Sequence, residues 1–595
     1  MTPKTLETSA PGGAFLLAES SPNDIFTPDS LSEEHRMIRD MVASFMEDKI
    51  MPNVEQIERQ EDGIMKKILK EAAELGLLGA EIPEQYGGME LDILSLMLIG
   101  EQVARLASFS VSFGAHSGIG TAPVLYFAND KLKEKYLPKL VSGELISSYA
   151  LTENHSGSDA LAARTKATLS EDGTHYILNG SKMWITNGGF ADLSMVFAKV
   201  DGEKFTCFAV ETEWEGFSAA AEEKKMGLKG SSTTALNLDN VKVPVENLVG
   251  EVGKGHKVAL NVLNLGRFKL GAWCTAASKF AMNDAIGYAK ERTQFTKHLV
   301  EFGAIQQKIG QMVTETWVGD SMNYRTAGMI DKSIKAVEAG DTVGKLAAIE
   351  EYVIECSILK VKCSEQLDFV VDESVQMLGG YGYSAEYPVE RAYRDSRINR
   401  IFEGTNEINR LTITGMLLKR AMTGRLALME RLMGLQQEMG ERKFGQIEDG
   451  PLGREIYLAN ASRNATLLAA GLAVNVIGMN KPEENHQEQM MAIADMVMEV
   501  YAQDSAVLRC QKLLAERGEE KTALERDVVA VFVQQSSERV RTLARTLLAD
   551  VIEETAELEP NLMAVEALLN KTPVGTCAPL RRIAARAIEL GRFPF

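Results

Sequence analysis

The chain has 595 residues, 45% apolar and 25% charged, the proportions of an ordinary globular protein, and its length suggests about four structural units. Its 64 Lys and Arg against 83 Asp and Glu give a net charge of −19, which argues against nucleic acid as a main partner, because phosphate contacts need clustered cations. Six scattered cysteines with no C-x-x-C pair lend no support to a disulfide framework or a zinc site and fit a reducing compartment.

Residues 1–30 mix Ser, Thr, Pro and Gly without periodicity and read as an N-terminal tail. The start, Met-Thr-Pro-Lys, has no apolar h-region, so no secretory signal is expected. From Leu31 the pattern is helical: Met37, Ile38, Met41, Val42, Phe45 and Met46 gather on one face. A second helix over 62–76 stops at the turn-rich run 82–88, and helical patterning resumes over 91–142. Together these make an N-terminal helical domain, 31–146.

A β domain follows over 147–254. Apolar pieces at 176–178, 193–200, 205–210 and 233–238 are separated by Glu171-Asp172-Gly173, Asn187-Gly188-Gly189, Asp201-Gly202 and Asp239-Asn240. That spacing predicts a small antiparallel barrel or sandwich. Four long helical stretches, 259–292, 303–331, 340–376 and 406–421, suffice for a four-helix bundle over 255–422. A Gly-rich charged linker over 423–453 leads to an extra C-terminal helical domain, 454–595. The fold class is therefore mainly α with a central small antiparallel β domain. The most apolar stretch, 466–479, is too short to cross a bilayer, which takes about 20 residues. P-loop, dinucleotide-fingerprint, H-E-x-x-H and nucleophile-elbow motifs are missing.

Arg400-Ile401-Phe402-Glu403-Gly404-Thr405-Asn406-Glu407 carries the most chemistry. Glu403 stands just ahead of a helix that Thr405 or Asn406 can cap, and Gly404 permits close backbone approach to a ligand. The run 149–159, Tyr-Ala-Leu-Thr-Glu-Asn-His-Ser-Gly-Ser-Asp, is rich in hydroxyls and backbone donors suited to a polar ring or a phosphate. Lys182-Met183-Trp184-Ile185-Thr186 places a flat aromatic two residues from a hydroxyl, able to stack on and hydrogen-bond a planar group. Arg292-Thr293-Gln294-Phe295 and the run 376–382 add a cation, amides and glycines. Each run alone is ordinary turn or packing chemistry. Their combination and order are not.

These runs, with 83–88 and 223–244, resemble the acyl-CoA dehydrogenase family over about residues 31–422. The C-terminal extension resembles the very-long-chain branch, which is typically dimeric. The resemblance implies an FAD-dependent oxidoreductase of fatty-acid β-oxidation that dehydrogenates long-chain acyl-CoA to trans-2-enoyl-CoA. It makes Glu403 the catalytic base for the α-proton, while the Glu403 backbone N–H and a flavin ribityl hydroxyl hold the thioester carbonyl and hydride passes to flavin N5. By the same resemblance Tyr149, Leu151, Thr152, Gly157 and Ser158 form the flavin loop, and Trp184, Ile185 and Thr186 pack on the flavin. Arg292, Gln294, Phe295, Gln376, Gly379 and Gly380 reach the FAD of a neighbouring subunit, and Thr405, Asn406 and Glu407 lie on the adenosine side. Ser158, Asn264, Arg267 and Gly404 contact the substrate. A homodimer that passes electrons to electron-transferring flavoprotein, in a bacterial cytoplasm, completes the expectation.

The sequence departs from the family pattern at three places. Asn154-His155 replaces a proline and its small neighbour in the flavin loop, which loosens that loop. Thr296 stands where a glycine is frequent, and Gly266 occupies the position from which some relatives supply their base. Two other readings stay open: an acyl-CoA oxidase using O2, and a non-catalytic assembly homologue. Small residues at Ser117, Gly118, Gly120, Thr121 and Ala122 would leave room for a long acyl chain. The amphipathic stretch 523–554 needs a covering surface, for which the chain's own bundle or a subunit face is favoured over a peripheral membrane contact.

Overall fold

The computed structural model describes residues 10–17, 20–338, 340–440, 446–478 and 482–595. They fall into two units, one of residues up to 31, 270–333 and 351–595, the other of residues 32–269 and 334–350.

In the second unit, the first long helix, Glu33–Phe45, begins at a reciprocal cap in which the Ser32 hydroxyl accepts from the His35 N–H and His35 Nδ1 accepts from the Ser32 N–H. Ile38, Val42, Phe45 and Met46 are buried as the periodicity predicts, whereas Met37, expected on the same face, is 66% exposed. The β domain is an eight-stranded sheet in the order Phe217–Glu222, Thr233–Pro244, His175–Thr186, Lys166–Leu169, Leu193–Val200, Lys204–Glu211, Leu248–Val249, with Ser147–Ala150 also paired to Leu193–Val200. Most pairings are antiparallel, and the two parallel ones both use Leu193–Val200. That strand is buried on both faces, which explains its unbroken apolar sequence. Met195 and Phe197 pack with Leu137, Leu140 and Val262, whereas Val196, Ala198 and Val200 pack with Leu178, Leu236 and Val243.

One expected turn is instead a bulge. Asp239-Asn240 reads as a chain reversal, yet the strand Thr233–Pro244 runs through it. Asn240 takes a φ of +56° and exchanges hydrogen bonds with Asn179 across the register shift between Leu178 and Gly180. Asn tolerates that conformation, so one residue signal serves both outcomes.

The first unit contains most of the bundle and the C-terminal helices. Long helices Gly255–Glu291, Gly303–Lys335, Val353–Leu378 and Asn406–Met422 match the four expected, except that 340–376 breaks at Tyr352. The helices approach closely at Gly271, where a Cβ would sit 2.8 Å from that of Leu359. Buried amides bridge them, with Asn323 Nδ2 donating to Thr275 Oγ1 at 2.9 Å.

Two expectations are corrected in this unit. The described part of the segment read as a tail, residues 10–17 and 20–30, is packed: Phe15 and Leu16 are buried, the Gly13 N–H donates to Glu355 at 2.7 Å, and Arg463 donates to the Phe15 carbonyl at 2.8 Å. The stretch read as a linker holds the helix Leu428–Gly440, with Leu435 buried and Leu432 against Gly471; residues 441–445 lie outside the described ones.

The C-terminal helices Gly453–Ile477, Gln487–Lys521, Ala523–Val551, Thr555–Leu569 and Cys577–Leu590 cover the bundle directly. Arg325 pairs with Asp504 at 2.9 Å, Thr326 with the Tyr501 hydroxyl at 2.7 Å, and Arg410 with Asp495 at 2.7 Å. Val528, Val529, Val531, Phe532 and Val540 are buried, so the amphipathic stretch docks on its own chain.

Candidate active site

Glu403 sits on a backbone turn that few glutamates adopt. Its φ is +58° and that of Gly404 is +78°, both left-handed, at a cost of about 1–3 kcal/mol for the non-glycine residue. Thr405 then caps the helix Asn406–Met422, its hydroxyl accepting from the Ile408 N–H at 3.2 Å. Asn406 is buried. Its Oδ1 accepts from the fully buried Lys360 at 2.6 Å, and its Nδ2 donates to Ser364 and Glu365 at 3.1 Å each. The Asn406 side chain therefore anchors the turn to the helix Val353–Leu378. Glu407 lies in the first helical turn, where its own peptide N–H, then the Thr405 hydroxyl and the Arg410 and Lys360 cations, hold its carboxyl below the usual range. Ile401, two residues before the base candidate, is about half exposed in the single chain.

The second unit carries the hydroxyl-rich loop and the aromatic strand. Glu153 and Ser156 exchange two backbone hydrogen bonds of 3.0 and 3.1 Å, and the Ser156 hydroxyl donates to the Asp159 carbonyl at 2.7 Å. The loop is thus closed around Asn154 and His155 without a proline, and His155 is exposed. Tyr149 and Leu151 are buried at its root, while Gly157 and Ser158 are exposed at its rim. The Met183 N–H donates to the Thr152 carbonyl at 2.9 Å, joining this loop to the strand His175–Thr186.

Trp184 lies in a bulge of that strand, between the pairs Lys182–Leu236 and Ile185–Thr234, with a φ of +60°. The extra residue turns the indole outward, 52% exposed, while Ile185 is buried and Thr186 half-buried. Asn187, also left-handed and fully buried, ties the strand end to the Ser112 carbonyl at 2.9 Å.

A buried ion pair that sequence reading did not single out joins the loop to the strand. Lys182 Nζ donates to Glu153 Oε1 at 2.7 Å and to the Leu151 carbonyl at 3.2 Å; the same carboxylate accepts from the Arg164 N–H and from the Thr165 N–H and hydroxyl. Burial pushes the Glu153 carboxyl up, but the Lys182 ammonium and these donors outweigh it and hold the group below the usual range. The partners are 29 positions apart, so no spacing rule points to them. Lys182→Met leaves a buried carboxylate uncompensated and is expected to cost about 3–5 kcal/mol. A fall in melting temperature checks this, and Lys182→Met combined with Glu153→Leu should recover much of it.

Arg292, Gln294 and Phe295 are exposed on a two-stranded hairpin, Thr293–Gln294 with Lys297–His298. Phe295 and Thr296 are its turn, at φ +50° and +65°, and Phe295 is 87% exposed. Both positive φ values are those of a type I′ turn, which explains the glycine common at position 296 and makes the threonine a strained substitute. The Arg292 guanidinium stands 5.5 Å from the Tyr381 ring centroid, which links the hairpin to the end of Val353–Leu378. There Gln376, Gly379 and Gly380 are exposed, and no heavy atom lies within 4 Å of a Cβ built on either glycine.

Asn264 and Arg267, three residues apart on Gly255–Glu291, are both buried, and Asn264 Nδ2 donates to the Ile349 carbonyl at 3.2 Å. Residues Ala115–Gly120 form a π-helical turn. Burial pushes the His116 imidazole inside it down to about 4, with Nδ1 accepting from the Ser147 N–H. The small residues of this turn divide by role. A Cβ on Gly120 would meet Ser147 Oγ at 2.5 Å, and Thr121 and Ala122 are buried, so these serve packing. At Gly118 a built Cβ would meet only Lys269 Nζ, at 4.0 Å, an ordinary contact distance, so this position is less crowded than Gly120.

Models of the acyl-CoA dehydrogenase N-terminal, middle and C-terminal domains match residues 32–144, 148–241 and 253–418, and a further acyl-CoA dehydrogenase C-terminal domain model matches 461–566. A probable acyl-CoA dehydrogenase of Bacillus subtilis (strain 168) is 45% identical over 585 residues, 98% of each chain. The very long-chain specific mitochondrial acyl-CoA dehydrogenase of Homo sapiens is 34% identical over 541 residues, 85% of this chain and 79% of that one. A crystal structure of an acyl-CoA dehydrogenase complexed with FAD from Bacillus anthracis aligns with a TM-score of 0.97 at 43% identity, covering 99% of this chain and 100% of that one. With near full-length likeness in sequence and in fold, the chain belongs to the acyl-CoA dehydrogenase family.

Proposed function

We propose that this chain is an FAD-dependent acyl-CoA dehydrogenase that converts long-chain acyl-CoA to trans-2-enoyl-CoA, with Glu403 as base. The carrying observation is the left-handed turn at Glu403 and Gly404, anchored at the head of Asn406–Met422, in a chain of this family. An α-C–H beside a thioester is weakly acidic until the carbonyl is polarised. The Glu403 peptide N–H supplies that polarisation as an oxyanion-hole donor, and the Glu403 carboxylate takes the proton. When bound, FAD supplies the acceptor for the β-hydrogen as hydride.

The residues present suit that group. Trp184 offers an exposed indole for stacking, and Thr152, Ser158 and Thr186 offer hydroxyls. Arg292, Gln294, Gly379 and Gly380 would meet the cofactor of a second subunit, the two glycines leaving the backbone open to close approach. That reading makes the assembly a homodimer, and covering the exposed Phe295 and Tyr383 supports it. Electrons then leave to electron-transferring flavoprotein. Bacterial relatives support a cytoplasmic location, and no described helix is long and apolar enough to cross a membrane.

Long-chain preference rests on the likeness to very long-chain relatives and on the less crowded position of Gly118. A panel of saturated acyl-CoA thioesters, scored by flavin bleaching without air and by enoyl-CoA formation, tests the whole reading. The expected maximum in kcat/KM falls at tetradecanoyl-CoA or longer. A maximum at butyryl- or hexanoyl-CoA overturns the preference, peroxide release as fast as turnover in air replaces dehydrogenase by oxidase, and no bleaching with any thioester overturns the function.

A further inference from the structure

We infer that Asn409 is a positioning residue for this reaction, one whose side-chain amide holds the turn that aims Glu403. The inference rests on Glu403 being the base, as proposed above. Asn409 is fully buried, and its Nδ2 lies 3.3 Å from the Glu403 carbonyl oxygen, 2.9 Å from that of Gly404 and 3.0 Å from that of Thr405. Three carbonyls converge on one end of the amide, and only the nitrogen end can donate to them.

The turn needs such a hold. The Glu403 and Gly404 carbonyls precede the helix Asn406–Met422, whose own ladder begins with the Asn409 N–H donating to the Thr405 carbonyl. Thr405 and Asn406 fix the start of the helix, through the Ile408 N–H and through Lys360, Ser364 and Glu365. Asn409 reaches back two residues further, to the base itself. Holding the Glu403 carbonyl fixes ψ of a residue already at φ +58°, and so fixes how the unit that carries both its peptide N–H and its side chain is set against the helix that follows. One amide therefore sets both groups that act on the substrate, while its own burial keeps it off the substrate.

The test uses the full-length holoenzyme with palmitoyl-CoA. Asn409→Leu removes the donor at nearly constant volume. It is expected to keep bound FAD and a near-normal KM, yet to slow flavin reduction about 10²-fold, the loss that follows small misplacement of a reacting group. Asn409→Gln, which retains a donor, is expected to recover part of that rate. A merely structural role would instead lower FAD content and melting temperature and leave the rate of loaded enzyme alone. Should Asn409→Leu fail to fold, Asn409→Asp decides: the same shape with acceptors facing carbonyls must show the same rate loss.

A loaded variant that reduces flavin within twofold of the parent overturns the inference, provided that Glu403→Gln is inactive in the same assay. If Glu403→Gln itself stays active, the base assignment fails, and that failure is read separately.

Discussion

Glu403→Gln is expected to fold, to keep its yellow cofactor and to bind acyl-CoA, but to lose flavin reduction by about 10² to 10⁴-fold, the usual contribution of a general base. The amide is close in shape to the carboxylate and leaves the left-handed backbone at Glu403 and Gly404 unchanged. The Asn409 amide holds the turn through its carbonyls and the Thr405 cap accepts from the Ile408 N–H, so these bonds run through the backbone and not through the Glu403 carboxylate. What is lost is proton acceptance. Gly266, the other position from which relatives supply a base, has no side chain to compensate. Rapid-mixing bleaching with palmitoyl-CoA measures the effect, with flavin content and melting temperature as controls. Retention of more than a tenth of the parent rate would sink the assignment.

What could be read in advance followed local physics. Strands Leu193–Val200 and Lys204–Glu211 and the turn between them were visible because β-branched and aromatic runs meet at Asp201-Gly202, which takes φ values of +55° and +78°. The motif runs around Glu403, Thr152 and Trp184 were visible as composition. Their strain was not. Trp184, Asn187, Phe295, Thr296 and Glu403 all have positive φ, and only tertiary support keeps non-glycine residues there.

Long-range partnerships were likewise hidden. Residues 10–17 and 20–30 belong to a stretch that looks like a tail because its polar, turn-rich composition lacks periodicity. They are ordered by distant cations and acids: Arg463 reaches Phe15 across 448 positions, and Arg509 and Arg517 reach Asp29. The Lys182–Glu153 pair and the Asn409 clamp escape sequence reading for related reasons. A single lysine in a strand looks like an edge residue. An asparagine four residues after a capping threonine looks like an exposed helix position until the carbonyls beside it are seen.

Deleting everything beyond residue 440 should have the largest structural effect. The C-terminal helices cover Trp317, which is fully buried, lies under the Arg509 guanidinium at 4.4 Å and faces the Phe595 ring at 6.1 Å. They also cover Gly310, where the Leu580 carbonyl lies 2.5 Å from a built Cβ, and Thr326, which meets the Tyr501 hydroxyl. The packed N-terminal segment loses the Phe15–Tyr501 ring contact and its bonds from Arg463 and Lys512. Each large apolar side chain returned to water forfeits about 1.5–3 kcal/mol. Three or four of them consume most of the roughly 5–15 kcal/mol by which a protein is stable. The helix behind Glu403 is undermined as well, because Thr414 donates to the Met490 carbonyl and Arg410 pairs with Asp495. The truncated chain is therefore expected to aggregate or to pair further into tetramers, with a sharply lower melting temperature. Light scattering and thermal unfolding read both. A soluble dimer that melts with the full-length protein would instead make residues 454–595 an independent module, and the buried contacts from Arg325, Lys362 and Arg410 would carry little stability.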